Sequence, residues 1–217
     1  MSLKIVVIDY GIGNVRSIVN AFVKIGVSTS MTRDPDVILN ADGVVLPGVG
    51  AFAHGMRNLH KFSLVEVIKK YSNSGKPLLG ICLGMQMLMT ESEEFGVTKG
   101  IALIEGSVVK LPVNDPENDK LPHVSWNEIE KAGINWDKTI FSNIKNSTDM
   151  YFVHSYVAVP DNKENILSTT NYSGFDFCSS IKKNNIYGCQ FHPEKSAQDG
   201  LKVIENFVKI CRENRNV

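Results

Sequence analysis

The sequence predicts an α/β fold: a central, mostly parallel sheet with helices on both faces, continued by an antiparallel extension in the C-terminal half. Two observations carry this expectation. Up to about residue 105, short β-branched apolar runs alternate with segments of helical periodicity, the pattern of strand–helix–strand units in a sheet covered on both sides. Beyond that point the helical periodicity disappears until the last stretch, strands read as shorter, and polar turns such as NDPENDK (Asn114 to Lys120) intervene. At 217 residues the chain is long enough for one well-buried core, and residues 1–217 are taken as a single domain.

The first strand is Leu3 to Asp9, and Val15, Ile18, Val19, Phe22 and Ile25 then recur at helical spacing until Gly26 offers a stop. A second strand fits Val27 to Thr32 and a third Gly43 to Leu46. Helical patterns follow within Phe52 to Tyr71, and Pro77 to Ile81 reads as a buried strand feeding a further helix. In the second half, Phe175 to Ile181 and Ile186 to Phe191 flank KKNN as a hairpin, and Leu201, Ile204, Phe207, Val208 and Cys211 mark a final amphipathic helix.

Composition narrows the function classes. With 23 basic and 23 acidic residues the net charge is zero, so there is no broad positive field for nucleic acid and no strong pull toward an anionic membrane. The apolar stretch Ile5 to Ile8 is too short for a signal peptide, and no window reaches the roughly 18 apolar residues of a membrane span. Cys82, Cys178, Cys189 and Cys211 contain no C-x-x-C pair and fit neither a zinc site nor a disulfide framework, which favours a reducing, cytoplasmic setting and predicts no metal and no cofactor.

The segment Gly80-Ile81-Cys82-Leu83-Gly84 places a thiol between a predicted strand and a predicted helix. G-x-C-x-G at such a junction is the thiol form of the nucleophile elbow, a sharp turn that lifts one side chain clear of the sheet and needs small flanking residues. The helix amino terminus favours the thiolate and leaves the Leu83 N–H free for an oxyanion. Read alone, the motif competes evenly with a buried structural cysteine. Among five histidines, His192 stands out in QFHPE, at the end of a predicted strand with Glu194 two residues on. In an extended segment these two project to the same side, so Glu194 can orient the imidazole while its other nitrogen faces Cys82. The loop LPGVGAF, with Gly48, Val49 and Gly50, can aim backbone N–H groups at a developing negative charge.

PGVGAF, GICLGMQ and QFHPEKS, in this order and spacing, resemble the class I glutamine amidotransferases over almost the whole chain. DYGIGNVRSI, YFVHSY and the lysine of HPEKS are similar to the glutaminase subunits of imidazole glycerol phosphate synthase in histidine biosynthesis. The resemblance implies a flavodoxin-like three-layer fold with glutamine as substrate. It makes Cys82 the nucleophile, His192 the base and acid, and Glu194 its orienting partner, with Leu83 and Gly48 to Gly50 as the oxyanion hole. Gln86 and Glu94, one and three helical turns after the nucleophile, match positions that hold the substrate's α-amino group, and Ser155 and Tyr156 match backbone contacts to the amino acid.

It further implies a heterodimer with a (β/α)8 barrel cyclase subunit that receives the ammonia, with Asn14, Trp126, Tyr151 and Lys195 on the docking surface. Trp126 and Tyr151 read equally well as core aromatics. Where the family usually has P-H-M-G-W-N, this chain has PHVSWN, with Val124 and Ser125 replacing a flexible methionine and a glycine. Two other readings keep the same thiol chemistry: a paralogous glutaminase feeding another amidation pathway, such as nucleotide-sugar modification, and a stand-alone Cys-His γ-glutamyl hydrolase.

Overall fold

The computed structural model of the chain describes residues 3–12, 15–114 and 119–215. Its first half is built on β1 (Ile5–Ile8), α1 (Val15–Lys24), β2 (Thr29–Thr32), α2 (Pro35–Leu39), β3 (Gly43–Leu46), α3 (Phe52–Lys61), α4 (Leu64–Asn73), β4 (Leu78–Ile81) and α5 (Leu83–Met87). Then come β5 (Met89–Ser92), β6 (Thr98–Lys99), β7 (Ile104–Lys110), β8 (His123–Lys131), β9 (Thr148–His154), β10 (Tyr156–Pro160), β11 (Ile166–Tyr172), β12 (Phe175–Lys183), β13 (Ile186–Cys189) and α6 (Ala197–Arg215).

The sheet runs β2-β1-β3-β4-β13-β12-β10-β7-β5-β6, with β11 pairing β12 and β8, and β8 pairing β9. Strands β2, β1, β3, β4 and β13 are parallel neighbours, whereas β12, β10 and β7 follow as antiparallel ones. The parallel part has the flavodoxin-like order, in which ligands sit outside the carboxyl ends of the strands. Every residue of β1, β3 and β4 is buried. Alternate β1 side chains serve opposite faces: Ile5 and Val7 pack with Ile18 and Phe22 of α1 and Phe207 of α6. Val6 and Ile8 pack with Ile38, Met56, Leu59, Ile68 and Met85 of α2 to α5. Two apolar clusters on one sheet make three layers.

Local signals account for most boundaries. Helix α1 stops where Gly26 takes φ +75°, and its N–H caps the Val23 carbonyl. Helix α2 shows no periodicity in the sequence: Asp34 caps it by accepting from the N–H groups of Asp36 and Val37, with Pro35 in its first turn. The helical stretch within Phe52 to Tyr71 is two helices, broken at Ser63, φ +55°.

One expectation is overturned. The strands of the second half are not shorter: β7, β9 and β11 have 7 residues and β8 and β12 have 9, against 4 in β1, β3 and β4. Their exposed faces carry polar residues that read as turn in the sequence. Among the described residues no helix is long and apolar enough to cross a membrane.

Candidate active site

Cys82 stands between the end of β4 and the start of α5 with φ 52° and ψ −113°. A non-glycine residue there costs on the order of 1–3 kcal/mol and persists only if its surroundings fix it. They do so on both sides. The Cys82 N–H donates to the Cys189 carbonyl of β13 at 2.7 Å, and its carbonyl accepts from Gln86 N–H at 3.2 Å. A Cβ on Gly80 would come within 2.8 Å of the Met85 backbone, and one on Gly84 would overlap the Leu46 carbonyl oxygen. The two flanking glycines are thus required by close backbone approach, as the motif predicts. Helix α5 has only five residues. Its contribution at the thiol therefore comes from unpaired first-turn N–H groups, Leu83 foremost, rather than from a long macrodipole.

His192 arrives from the neighbouring strand. Register pairs Gly188 with Gly80 and Cys189 with Ile81, so the chain leaving β13 runs beside the elbow. The His192 N–H donates to the Tyr151 carbonyl at 2.9 Å, and Ser196 ties both strands down by donating to the His192 carbonyl (2.7 Å) and accepting from Tyr151 N–H (3.0 Å). His192 Nδ1 donates to Glu194 Oε1 at 2.9 Å, and both side chains are almost fully buried. The pairing arises differently from the expected strand alternation: Pro193–Lys195 forms a 3-10 turn that brings the carboxylate back under the ring. Burial pulls the His192 pKa down, but hydrogen bonds and charge from Cys82 and Glu194 outweigh it and raise it to about 10. The ring thus holds a proton at neutral pH, with Nε2 left for the thiol.

The Gly48–Gly50 loop follows β3 and lies against the elbow. A Cβ on Gly48 would sit 2.6 Å from the Tyr10 hydroxyl, 2.8 Å from Leu83 Cβ and 3.0 Å from the Gly84 nitrogen. The Tyr10 hydroxyl donates to the Pro47 carbonyl at 2.5 Å, and burial pushes its pKa up, so this anchor keeps its proton. Gly50 is exposed with φ +101°.

A cavity of about 240 Å³ opens over the thiol, lined by Val49, Gly50, Cys82, Leu83, Gln86, Glu94, Ser155, Tyr156, His192 and Lys195 with Pro122, Val153 and His154. Gln86 Nε2 donates to the Tyr156 carbonyl and to Gln190 Oε1, both at 2.9 Å, and Gln190 Nε2 lies 3.7 Å from Cys82 Sγ. Glu94 reaches the cavity by another route than expected. It is not three turns along a helix, because α5 ends at Met87 and the chain continues as β5. From the loop beyond, its Oε2 accepts the Phe52 N–H at 2.6 Å and caps α3. The Ser155 and Tyr156 carbonyls are already partnered, by Leu111 N–H at 2.9 Å and by Gln86.

Trp126 and Tyr151 are opposed in register on β8 and β9, with ring centroids 5.8 Å apart. Neither is a core aromatic. Trp126 is 47% exposed, Tyr151 is half-buried, and Lys195 Nζ lies 5.8 Å from the Tyr151 ring. Asn14 lies outside the described residues. Sequence reasoning missed Gln190, although it belongs to QFHPE, and missed Tyr10, whose only signal was its place in DYGIGN.

These features, a strained thiol elbow beside a carboxylate-held histidine at the carboxyl edge of a parallel sheet, define the class, and the chain matches the family described as glutamine amidotransferase class-I over residues 6–211. It is 45% identical over 208 residues to the imidazole glycerol phosphate synthase subunit HisH 1 of Legionella pneumophila (strain Lens), covering 94% of this chain and 98% of that one. It is 44% identical over 214 residues to the HisH subunit of Moorella thermoacetica, covering 98% and 97%. Among solved structures, a putative GMP synthase subunit from Thermoplasma acidophilum superposes with TM-score 0.72 at 22% identity, covering 100% and 97%. PurLQS from Thermotoga maritima gives 0.72 at 19%, covering 96% and 99%. At these identities the structures speak to fold alone. Within the class I glutamine amidotransferases, the chain belongs to the HisH family of imidazole glycerol phosphate synthase subunits.

Proposed function

We propose that Cys82, His192 and Glu194 are the catalytic triad through which this chain hydrolyses glutamine. The chain is a glutaminase subunit of imidazole glycerol phosphate synthase, serving histidine biosynthesis. In the first half-reaction the Cys82 proton resides on His192 Nε2, and the thiolate sulfur attacks the side-chain amide carbon. The oxyanion is received by the Leu83 N–H and the Gly48–Gly50 loop. His192 Nε2 then protonates the amide nitrogen, the C–N bond breaks, ammonia leaves and a γ-glutamyl thioester remains. In the second, His192 takes a proton from water, the hydroxyl adds to the thioester, and glutamate and the thiol are released. Gln86 and Glu94 are the candidate holders of the amino acid. The ammonia passes to a (β/α)8 barrel cyclase subunit docked on the side of Trp126, Tyr151 and Lys195, where the aromatic pair is exposed.

The observation that carries the reading is the buried 2.9 Å Nδ1 contact of His192 with Glu194, in a ring whose pKa the neighbouring Cys82 sulfur and Glu194 carboxylate raise. Cys82→Ala, assayed with the barrel subunit present, should lower glutamine hydrolysis by about 10⁴-fold or more while the fold survives. The barrel's reaction should still run on ammonium salts at raised pH. Substantial hydrolysis by the variant would remove Cys82 as nucleophile.

A further inference from the structure

His123 on β8 and His154 on β9 take no part in the triad, yet they face each other in register and both are buried. His123 Nδ1 lies 3.1 Å from His154 Nε2. At the two outer ends, His123 Nε2 lies 2.8 Å from Asn127 Oδ1, whose amide nitrogen faces the Asn171 carbonyl, and His154 Nδ1 lies 3.0 Å from the Tyr156 carbonyl. The His123 ring is stacked between Tyr172 and Phe152, at centroid distances of 4.0 and 5.3 Å.

With both rings neutral, counting protons along this line sets its direction. The Tyr156 carbonyl can only accept, so His154 Nδ1 carries hydrogen. A neutral imidazole has one N–H, so His154 Nε2 is an acceptor and the proton between the rings belongs to His123 Nδ1. His123 Nε2 is then a lone pair, and Asn127 must turn its NH₂ toward it. Oxygen and nitrogen of that amide exchange places by a half-turn. That half-turn gives up the Asn127 Nδ2 donation to the Asn171 carbonyl, a long contact of 3.3 Å at an exposed edge. The opposite amide orientation would need a cation on the histidine pair. Burial among aromatic rings opposes that, pulling His154 down to about 3 and His123 below its ordinary value.

We propose that His123 and His154 are positioning residues for glutamine binding: a neutral, one-way hydrogen-bond relay from Asn127 through both rings to the Tyr156 carbonyl, which fixes the β9–β10 corner facing Cys82. That corner is a wall of the cavity. Val153, Ser155 and Tyr156 line it, the Val153 carbonyl lies 3.8 Å from Cys82 Sγ, and Gln86 grips the same Tyr156 carbonyl from the other side. The relay starts on the strand that exposes Val124 and Trp126, so it ties the candidate docking face to the pocket wall. The proposal rests on the glutaminase reading of the site.

Two measurements test it. In the full chain at pH 7, ¹⁵N-histidine NMR should show His123 and His154 neutral and protonated at Nδ1. An imidazolium on either ring, or an Nε2–H tautomer at His154, overturns the relay. In glutamine hydrolysis with the barrel subunit present, His154→Phe should raise KM about tenfold with kcat within about threefold. His154→Asn, whose amide nitrogen replaces Nδ1 at the Tyr156 carbonyl, should recover most of the loss. A KM unchanged in both variants overturns the positioning role. If His154→Phe does not fold, the wild-type tautomers and the Asn variant decide. Failure of the catalytic reading looks different: an active Cys82→Ala refutes the triad and leaves the tautomer result untouched.

Discussion

Gly80→Ala tests whether backbone approach at the elbow positions the Cys82 thiol. The added Cβ would meet Met85 Cα and N at 2.8 Å and the Gly84 carbonyl carbon at 2.9 Å, where ordinary contact begins at 3.4 Å. All three are backbone atoms, so no side-chain rotation relieves the overlap. Helix α5 must retreat from β4 by about 0.6 Å, at a cost of about 2–3 kcal/mol for an overpacked site. Cys82 lies between the two elements and moves with them. A displacement approaching 1 Å costs up to about a hundredfold in turnover, so kcat/KM for glutamine should fall about ten- to a hundredfold. Gly75→Ala is the control. It has open space around its Cβ but φ +77°, and should cost about 1 kcal/mol of backbone strain with turnover unchanged. Urea unfolding and glutamine hydrolysis in the presence of the barrel subunit measure both effects. Wild-type turnover in Gly80→Ala, with stability within about 0.5 kcal/mol of the parent, would refute the argument.

On the candidate docking face, Trp126→Ala and Lys195→Ala should lower glutamine-dependent turnover about tenfold through weaker docking. The ammonia-dependent rate, measured at saturating barrel subunit, should stay unchanged, and a parallel loss of both rates would place these residues elsewhere in the mechanism. Acid should destabilise the fold through His154. Its folded pKa, lowered by burial to about 3, lies below the unfolded 6.5, so its contribution is fully present above pH 6.5 and is lost as pH falls toward 3. The slope from this one group is at most about 1.4 kcal/mol per pH unit, and urea midpoints between pH 7 and 4.5 should fall less steeply in His154→Asn.

How much of this was legible in the sequence follows from which interactions are local. The parallel strands were readable because Ile5–Ile8 and Gly43–Leu46 are buried throughout and therefore apolar throughout. The candidate triad could be named because the elbow is a short-range device and His192 and Glu194 are two residues apart, although a 3-10 turn rather than strand alternation brings those two together. Glu94 was misplaced for the opposite reason. The apolar run after Cys82 continues a helical pattern, but the chain leaves the helix where the Met87 carbonyl accepts from Ile101 N–H at 2.8 Å and the Leu88 carbonyl from Leu103 N–H at 2.9 Å. Helix α2 is too short to show a period and is signalled only by its cap. The His123–His154 pair has no local signal, since only the register of β8 on β9 brings the rings together.

The position of β13 explains how two unlike halves can form one site. It pairs in parallel with β4, which ends at Cys82, and antiparallel with β12, which belongs to the second half. The first half supplies the Cys82 thiol and the candidate oxyanion loop at Gly48–Gly50. The second half delivers His192 across this seam, and supplies the Val153–Tyr156 wall and the exposed ribbon of β8 and β9. The departure from the usual family pattern lies entirely on that ribbon: Val124 is 54% exposed, and Ser125 spends its hydroxyl on the neighbouring Trp126 carbonyl at 3.1 Å. Neither residue lines the cavity over Cys82. Their effect must therefore reach catalysis through the fit of the partner, or through the relay that begins close by at Asn127 and ends at the pocket wall.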